Sequence, residues 1–178
     1  EALAWGSNLE WGFNKHPPMS AVMVEIFYQI FGSNDWAYYF LSQICLIICF
    51  YVIYSFSSDL FSKKIFSLIS VLLLEGIYFY NYTSPEFNVY VAEIPFWALS
   101  VYFCWKGIKN NKIIDWFLLG TFSAFGLLSH YLFIYILITI ILICFFFNKI
   151  NKLSFKFLYS LIPFFLMFYP HLNWILEN

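Results

Sequence analysis

Long hydrophobic runs separated by short polar segments cover most of this sequence, and their lengths indicate membrane crossing. Several approach the roughly 20 residues that an α-helix needs to span a bilayer. The run Ile113–Phe147 is too long for one crossing, and the polar Ser129-His130-Tyr131 inside it predicts two short helices that meet near one face. The last run opens at Phe157 and is predicted to end at Pro170-His171. The pattern predicts about six spans, of which the first three are Asp35–Phe56, Ile65–Tyr82 and Val89–Trp105, the third interrupted by Pro95.

A shorter apolar run, Met19–Gly32, precedes these spans and cannot cross a bilayer. It is better read as a helix lying in the membrane interface. The segment before it, Glu1–Pro18, is polar and aromatic without a membrane-length run. We therefore expect an all-α, polytopic transmembrane helix bundle over residues 35–178. Residues 1–34 are expected to form the first extracytoplasmic loop, ending in a juxtamembrane helix.

Composition supports a membrane protein. Hydrophobic residues make up 62% of the 178 residues and charged residues only 11%, whereas soluble domains carry roughly 25% charged residues. The net charge of −1 gives no basis for nucleic-acid binding. The four cysteines all lie inside apolar runs without metal-ligand spacing, so they are predicted to be packing residues.

The lysines fix the predicted topology. Eight of the nine basic residues fall in alternate loops: Lys63 and Lys64; Lys106, Lys109 and Lys112; Lys149, Lys152 and Lys156. Because lysines are enriched on the cytoplasmic side, those loops are predicted to be cytoplasmic. All three histidines then lie on the outer side. Lys15, the ninth basic residue, is also on the outer side, so its position needs a separate reason.

That lysine belongs to the polar stretch WGFNKHPPMSAVM, which begins at Trp11. Lys15 and His16 stand beside each other, and Pro17-Pro18 stiffens the backbone ahead of the helix that follows. A cationic pair on a stiff turn before a helix is suited to hold an anion such as a phosphate. The alternative is a rigid surface turn with solvated charges.

Two acids, Glu75 and Glu93, lie inside predicted spans near their outer ends. An ionisable residue in a membrane segment usually faces a cavity or a partner, although a carboxylate near a helix end can also reach water. Glutamate and histidine together suit a divalent metal ion. However, the chain has no His-x-x-His or His-Glu-x-x-His spacing, so no metal ligand is assigned and a divalent cofactor stays an open question.

Several segments together resemble bacterial glycosyltransferase family 39, in the GT-C class that uses polyprenyl-phosphate sugars. The family includes protein O-mannosyltransferases and aminoarabinose transferases that act on lipid A. The resemblance rests on five segments in the family's order: Glu1-Ala2, Trp11 to Pro18, Phe31 to Ala37, Glu86 to Leu99, and Gly120 to Tyr131. His130 stands where the family usually has lysine. In this resemblance, the family's catalytic aspartate and first membrane helix would precede Glu1. We therefore expect the chain to be a fragment, with an incomplete C-terminus as well, and in one interpretation the fragment is inactive on its own.

The resemblance implies an inverting membrane glycosyltransferase of GT-C fold in the bacterial inner membrane, acting at the extracytoplasmic face. A polyprenyl-phosphate sugar is the implied donor, and a lipid, glycan or protein is the acceptor. Lys15 and His16, with His130 as a further candidate, are expected to bind the donor phosphate. Asn14, Glu86 and Asn88 are candidates for substrate binding, and Glu1 is the catalytic candidate, in a supporting role to the upstream aspartate.

Two other interpretations of the sequence stay open. A transporter or flippase would use Glu75 and Glu93 to line a path through the membrane, and such proteins often contain an internal repeat. We find no repeat, and the polar residues concentrate in outer loops. The other alternative is an inactive fragment.

Overall fold

The computed structural model describes residues 2–149 and 155–178, and its regular structure over those ranges is helical, without strands. This confirms the predicted all-α bundle. The α-helices of the described ranges are α1 (Ala2–Gly6), α2 (Met19–Phe31), α3 (Asp35–Leu60), α4 (Lys64–Glu75), α5 (Val89–Asn110), α6 (Ile113–Ser129), α7 (Ile134–Lys149) and α8 (Leu161–Glu177). Three tighter or wider helical turns join them: a π-helical turn, Phe79–Thr83, and two 3₁₀ turns, Tyr131–Phe133 and Phe155–Ser160.

The centre of the bundle is the contact between α3 and α5. Each helix contributes a stripe of buried apolar side chains whose spacing of three or four residues keeps them on one helix face. Because the other faces are also apolar, large side chains such as Ile47 and Tyr51 remain exposed on the outside of α3, as expected for a helix in lipid. The stripe is Leu41, Cys45, Cys49 and Val52 on α3, and Val91, Ile94 and Ala98 on α5.

Within residues 2–149 and 155–178, two helical segments are long and apolar enough to cross a membrane: Asp35–Leu60, with mean hydropathy 1.9, and Phe155–Glu177, with mean hydropathy 1.2. Shorter apolar helices cover Met19–Phe31, Ile113–Ser129 and Tyr131–Phe147. These helices are consistent with an all-α membrane bundle.

Several helix ends differ from the sequence prediction. The third span is continuous through Pro95 and extends to Asn110, because a proline in the second turn removes only one intrahelical hydrogen bond and Pro95 is buried against neighbours. That helix ends where Asn111 adopts φ 51°, a left-handed conformation that asparagine tolerates. The last span also continues through its proline, Pro170, and reaches Glu177 instead of stopping. The second span ends earlier than predicted, at Glu75.

The predicted break between α6 and α7 is confirmed. Helix α6 ends at Ser129, His130 is extended with φ −157° and ψ 138°, and the 3₁₀ turn leads into α7. Gly126 allows this sharp return, because a Cβ at that position would overlap the ring of Phe133. His130 is thereby held at the end of the bundle.

Candidate functional site

A backbone hydrogen bond and contacts between aromatic rings hold the Lys15-His16 turn in place. The backbone N–H of Phe13 donates to the carbonyl of His16 at 3.2 Å, which closes the turn. The ring of Trp5 stacks on Phe13 with centroids 5.3 Å apart and meets the His16 ring edge-on at 5.9 Å. Lys15 is exposed and His16 is half-buried.

The two prolines that follow this turn are buried, and α2 begins directly after them, as the sequence predicted. The carbonyl of Pro18 accepts the hydrogen bond that opens the helix, from the backbone N–H of Val22 at 3.0 Å. The turn is therefore joined directly to the first turn of α2.

His130 lies against His16, although the two are far apart in the sequence. Their ring centroids are 5.8 Å apart, and the ring of Tyr90, in the first turn of α5, lies 4.8 Å from that of His130. The Nδ1 atom of His130 accepts a hydrogen bond from the backbone N–H of Leu132 at 3.3 Å. The neutral imidazole then carries its proton on Nε2, which is left as the donor atom.

Burial lowers the pKa of His130 below its ordinary value, and the nearby His16 lowers that pKa further. Both effects disfavour a positive charge on the imidazole. An anion bound between the two histidines would act in the opposite direction, because it stabilises the charged form. A negative ligand bound beside His130 would therefore favour its protonated form.

Glu93 is the member of this cluster that the sequence analysis did not include among the site residues. Its carboxylate is buried, with the residue 5% exposed. Oε1 accepts a hydrogen bond from Nε1 of Trp97 at 2.6 Å, and Oε2 lies 3.7 Å from Nδ1 of His130. The sequence signal was available, since Trp97 follows Glu93 by one helical turn. The contact with His130 depends on tertiary packing.

The third histidine, His171, fixes the same loop from the other side. It is fully buried on α8, and its Nδ1 donates to the carbonyl oxygen of Trp11 at 2.5 Å. Because a carbonyl can only accept, Nε2 is the unprotonated nitrogen and accepts from the hydroxyl of Tyr131 at 3.2 Å. Trp174, one turn along α8, covers Gly12 so closely that a Cβ there would overlap the indole. The three histidines thus meet at one end of the bundle.

The remaining predicted site residues are more dispersed. Asn14 is exposed on the Lys15-His16 turn. Glu86 is exposed and lines a separate cavity of about 310 Å³ beside Asp35 and Tyr38. Asn88 caps α5: its Oδ1 accepts from the backbone N–H groups of Tyr90 and Val91, as an N-cap side chain does. Glu1 lies outside the described residues.

An apolar groove of about 530 Å³ is lined by residues that are close in sequence to the histidines. Pro18 and Met19, which follow His16 closely in the chain, form one wall, and Leu128, which shortly precedes His130, lies on another. The rest of the lining comes from the loop, α2, α6 and α8: Leu9, Glu10, Trp11, Val22, Phe125, Leu166, Met167 and Pro170. A long hydrocarbon chain is the kind of ligand that such a lining favours.

Within residues 2–149 and 155–178, no three side chains of His, Cys, Asp or Glu lie close enough together to hold a metal ion.

Taken together, the fold is an all-α membrane helix bundle with a cluster of histidines and aromatic rings at one end. The comparison with known families agrees. Residues 15–174 match the family described as dolichyl-phosphate-mannose-protein mannosyltransferase, and the chain belongs to this family. It is therefore a membrane glycosyltransferase of GT-C type whose donor is a polyprenyl-phosphate sugar. No curated protein and no solved structure matches the chain significantly.

Proposed function

We propose that the protein transfers one sugar from a polyprenyl phosphate to a hydroxyl group of a lipid, glycan or protein, at the extracytoplasmic face of a bacterial inner membrane. Transfer proceeds in one displacement with inversion at the sugar carbon. The observation that carries the proposal is the meeting of His16 and His130, whose rings are 5.8 Å apart and whose near neighbours in sequence, Pro18 and Leu128, line the apolar groove.

The leaving group in this reaction is a lipid phosphate, and its negative charge grows as the sugar departs. Donors aimed at the place where charge develops lower the barrier. Lys15 supplies an ammonium group, and His16 and His130 supply N–H donors. Asn14, on the same turn, is placed to add a neutral donor. This role accounts for a lysine on the outer side of the membrane.

The groove accounts for the lipid part of the donor. Its lining includes Pro18, two residues after His16, together with residues of the first loop, α2, α6 and α8. With the phosphate between the histidines, an isoprenoid chain would leave along this groove and contact mainly apolar side chains. The hydrophobic effect would then retain the carrier while the sugar is transferred.

The positions of the cytoplasmic lysines support action at the opposite face. Helix α6 runs from Ile113, next to Lys112, to Ser129, next to His130. At 1.5 Å per residue this helix separates its two ends by roughly 25 Å. Lys109 pairs with Asp59 at 3.7 Å, which places the end of α3 at the lysine-rich end of the bundle too. By the positive-inside rule the histidine end faces outward.

The acceptor hydroxyl must lose a proton during the displacement, and a carboxylate is the expected base. The family resemblance implies an aspartate as this base, with Glu1 as a candidate in a supporting role. Glu86 and Asn88 remain candidates for contacts with the substrate, or with a divalent ion if one takes part. The described cavity beside Glu86 has polar and aromatic walls that suit a hydroxylated acceptor.

Transfer from a labelled polyprenyl-phosphate sugar tests this proposal. Membranes that contain the protein are compared with membranes that contain Lys15→Ala/His16→Ala, and release of label from the carrier is measured. Loss of one such donor lowers catalytic rates by about 100- to 1,000-fold in other enzymes, so the double variant should fall at least about 100-fold. Lys112→Ala is the matched control because it removes a lysine at the other end of the bundle.

Undiminished transfer by the double variant would refute the leaving-group role. If the wild-type protein releases no label from any common sugar donor while it is present in the membrane, the transferase activity itself is refuted for this chain.

A further inference from the structure

A second cavity, of about 240 Å³, lies beside the histidine pair and is separate from the apolar groove. Unlike the groove, it combines aromatic rings with one buried acid. Its walls are formed by the π-helical turn, by α5 and by the residue after Tyr131. The side chains that matter here are Phe79, Tyr80, Tyr90, Glu93, Trp97 and Leu132.

This combination is suited to a sugar ring. Aromatic faces pack against the C–H faces of a pyranose, and a carboxylate accepts hydrogen bonds from its hydroxyl groups. Glu93 has accepting capacity left, since Trp97 donates to its Oε1 and, within residues 2–149 and 155–178, no hydrogen-bond donor is assigned to its Oε2. A buried carboxylate that accepts hydrogen bonds from ligand hydroxyls contributes more than a neutral acceptor would.

The cavity is also correctly placed relative to the phosphate site. Tyr90 and Glu93 line the cavity and at the same time contact His130, with a ring distance of 4.8 Å and an atom distance of 3.7 Å respectively. In a polyprenyl-phosphate sugar, the sugar carbon is joined directly to a phosphate oxygen. A phosphate held at His16 and His130 therefore has its sugar within reach of this cavity.

We propose that this cavity binds the sugar of the donor and that Glu93 is the residue that recognises its hydroxyl groups. The assignment rests on the proposed function, because it takes the histidines as the phosphate site. The volume is slightly below the roughly 300–1,000 Å³ of common ligand pockets, so it suits a single sugar ring. A second acidic group beside the buried Glu93 side chain would be unfavourable, so we expect neutral or amino sugars to bind better than sugar acids.

The test separates recognition of the sugar from recognition of the phosphate. Two quantities are measured in membranes: the KM for a polyprenyl-phosphate hexose, and the inhibition constant of polyprenyl phosphate without a sugar. Glu93→Gln keeps the size of the side chain and an oxygen that can accept from Trp97. We expect it to raise the KM about 10- to 100-fold, as loss of a charged hydrogen bond does. The inhibition constant of the bare phosphate should stay within about threefold.

One further variant tests the cavity independently of Glu93, and another serves as a control. Leu132→Trp fills the cavity without changing a charge, and it should also raise the KM for the donor and spare the bare phosphate. Glu75→Gln is the matched control, because Glu75 is an exposed acid on α4 that lines none of the cavities described here. It should leave both quantities unchanged.

A sugar acid on the same carrier gives the charge-based outcome. Wild-type protein should discriminate against a polyprenyl-phosphate uronate relative to the neutral hexose, and Glu93→Gln should reduce that discrimination. Equal weakening of the donor and of the bare phosphate in Glu93→Gln would refute the inference, since Glu93 would then act only by positioning His130. Unchanged constants in Glu93→Gln would refute it as well. Failure of the proposed function has a different signature: the bare phosphate would bind the Lys15→Ala/His16→Ala variant as tightly as wild type.

Discussion

Replacing His171 with alanine should destabilise the protein by about 2–4 kcal/mol. The imidazole is fully buried and joins three segments: its own helix α8, the loop carbonyl of Trp11 and the hydroxyl of Tyr131. The substitution leaves the Trp11 carbonyl without its donor, which costs about 1–3 kcal/mol if that group stays buried. The hydroxyl of Tyr131 contributes less, because that side chain is 43% exposed and can find another partner. Loss of the stacked ring adds the remainder, since Trp174 lies 6.2 Å from the imidazole and nearly parallel to it.

Thermal unfolding in detergent, followed by tryptophan fluorescence, measures this effect. For a chain of this size 1 kcal/mol corresponds to about 2–4 °C, so a decrease of roughly 5–15 °C in the midpoint is expected. His171→Phe separates the two contributions, because it keeps an aromatic ring and loses both hydrogen bonds; its midpoint should lie between those of wild type and alanine. Leu172→Ala, an exposed neighbour on the same helix, is the control.

Substitution of His171 should also weaken binding of the donor. Trp11 stands four residues before Lys15, and Gly12 packs under Trp174, so a loosened loop should misplace the cationic pair. The KM for the donor should rise in His171→Phe even at temperatures where the variant stays folded. A midpoint for His171→Ala equal to that of Leu172→Ala would refute the argument, because it would show that the buried hydrogen bonds contribute nothing measurable.

Three further predictions concern other parts of the fold. Gly120→Ala should lower the unfolding midpoint much more than Gly76→Ala, because a Cβ at 120 overlaps the Ser160 carbonyl while one at 76 makes only ordinary contact at 3.4 Å; equal midpoints would contradict the close approach of α6 to this segment. Bound phosphate should raise the lowered pKa of His130, so that donor binding takes up a proton. The KM for the donor, measured as a function of pH, should therefore fall as the pH falls below the ordinary histidine pKa. His130→Gln should lose this pH dependence, although His16, Glu93 and Tyr90 also face the ring. Asn88→Asp should keep the stability of wild type, since aspartate caps helices equally well, whereas Asn88→Ala should lose about 1 kcal/mol in a denaturation assay; a donor KM that changes in Asn88→Asp would indicate that Asn88 also contacts substrate.

Local pattern predicted much of the fold because hydrophobic spacing and turn chemistry are local properties. The stripe from Leu41 to Val52 is visible as a helical repeat, and the polar Ser129-His130-Tyr131 inside an apolar run correctly marked the end of α6. The helix ends were predicted less well. Pro95 and Pro170 were expected to interrupt helices, but a proline costs a helix only one hydrogen bond and a steric adjustment, and tertiary packing offsets that cost.

The site could be predicted only in part, for a physical reason. Lys15 and His16 are neighbours in the chain, so their proximity needed no fold, whereas the approach of His130 depends on how α6 packs beside the first loop. Glu93 shows more clearly which contacts cannot be predicted from the sequence. Its burial and its helical partner Trp97 could be inferred, but its distance from His130 could not, because nothing local relates α5 to the end of α6.

Close packing at the histidine end explains why the groups of this site lie on different helices. A transferase must hold a phosphate, a sugar and a lipid chain in fixed relative positions, and each requires a different chemical surface. In the proposed arrangement the loop supplies the cations, α5 supplies the buried acid, and the loop, α2, α6 and α8 together line the apolar groove. His130 is common to this arrangement, since it contacts His16 on the loop and both Tyr90 and Glu93 on α5. A change at His130 should therefore affect phosphate and sugar binding together, whereas changes at His16 and Glu93 should each affect one of them.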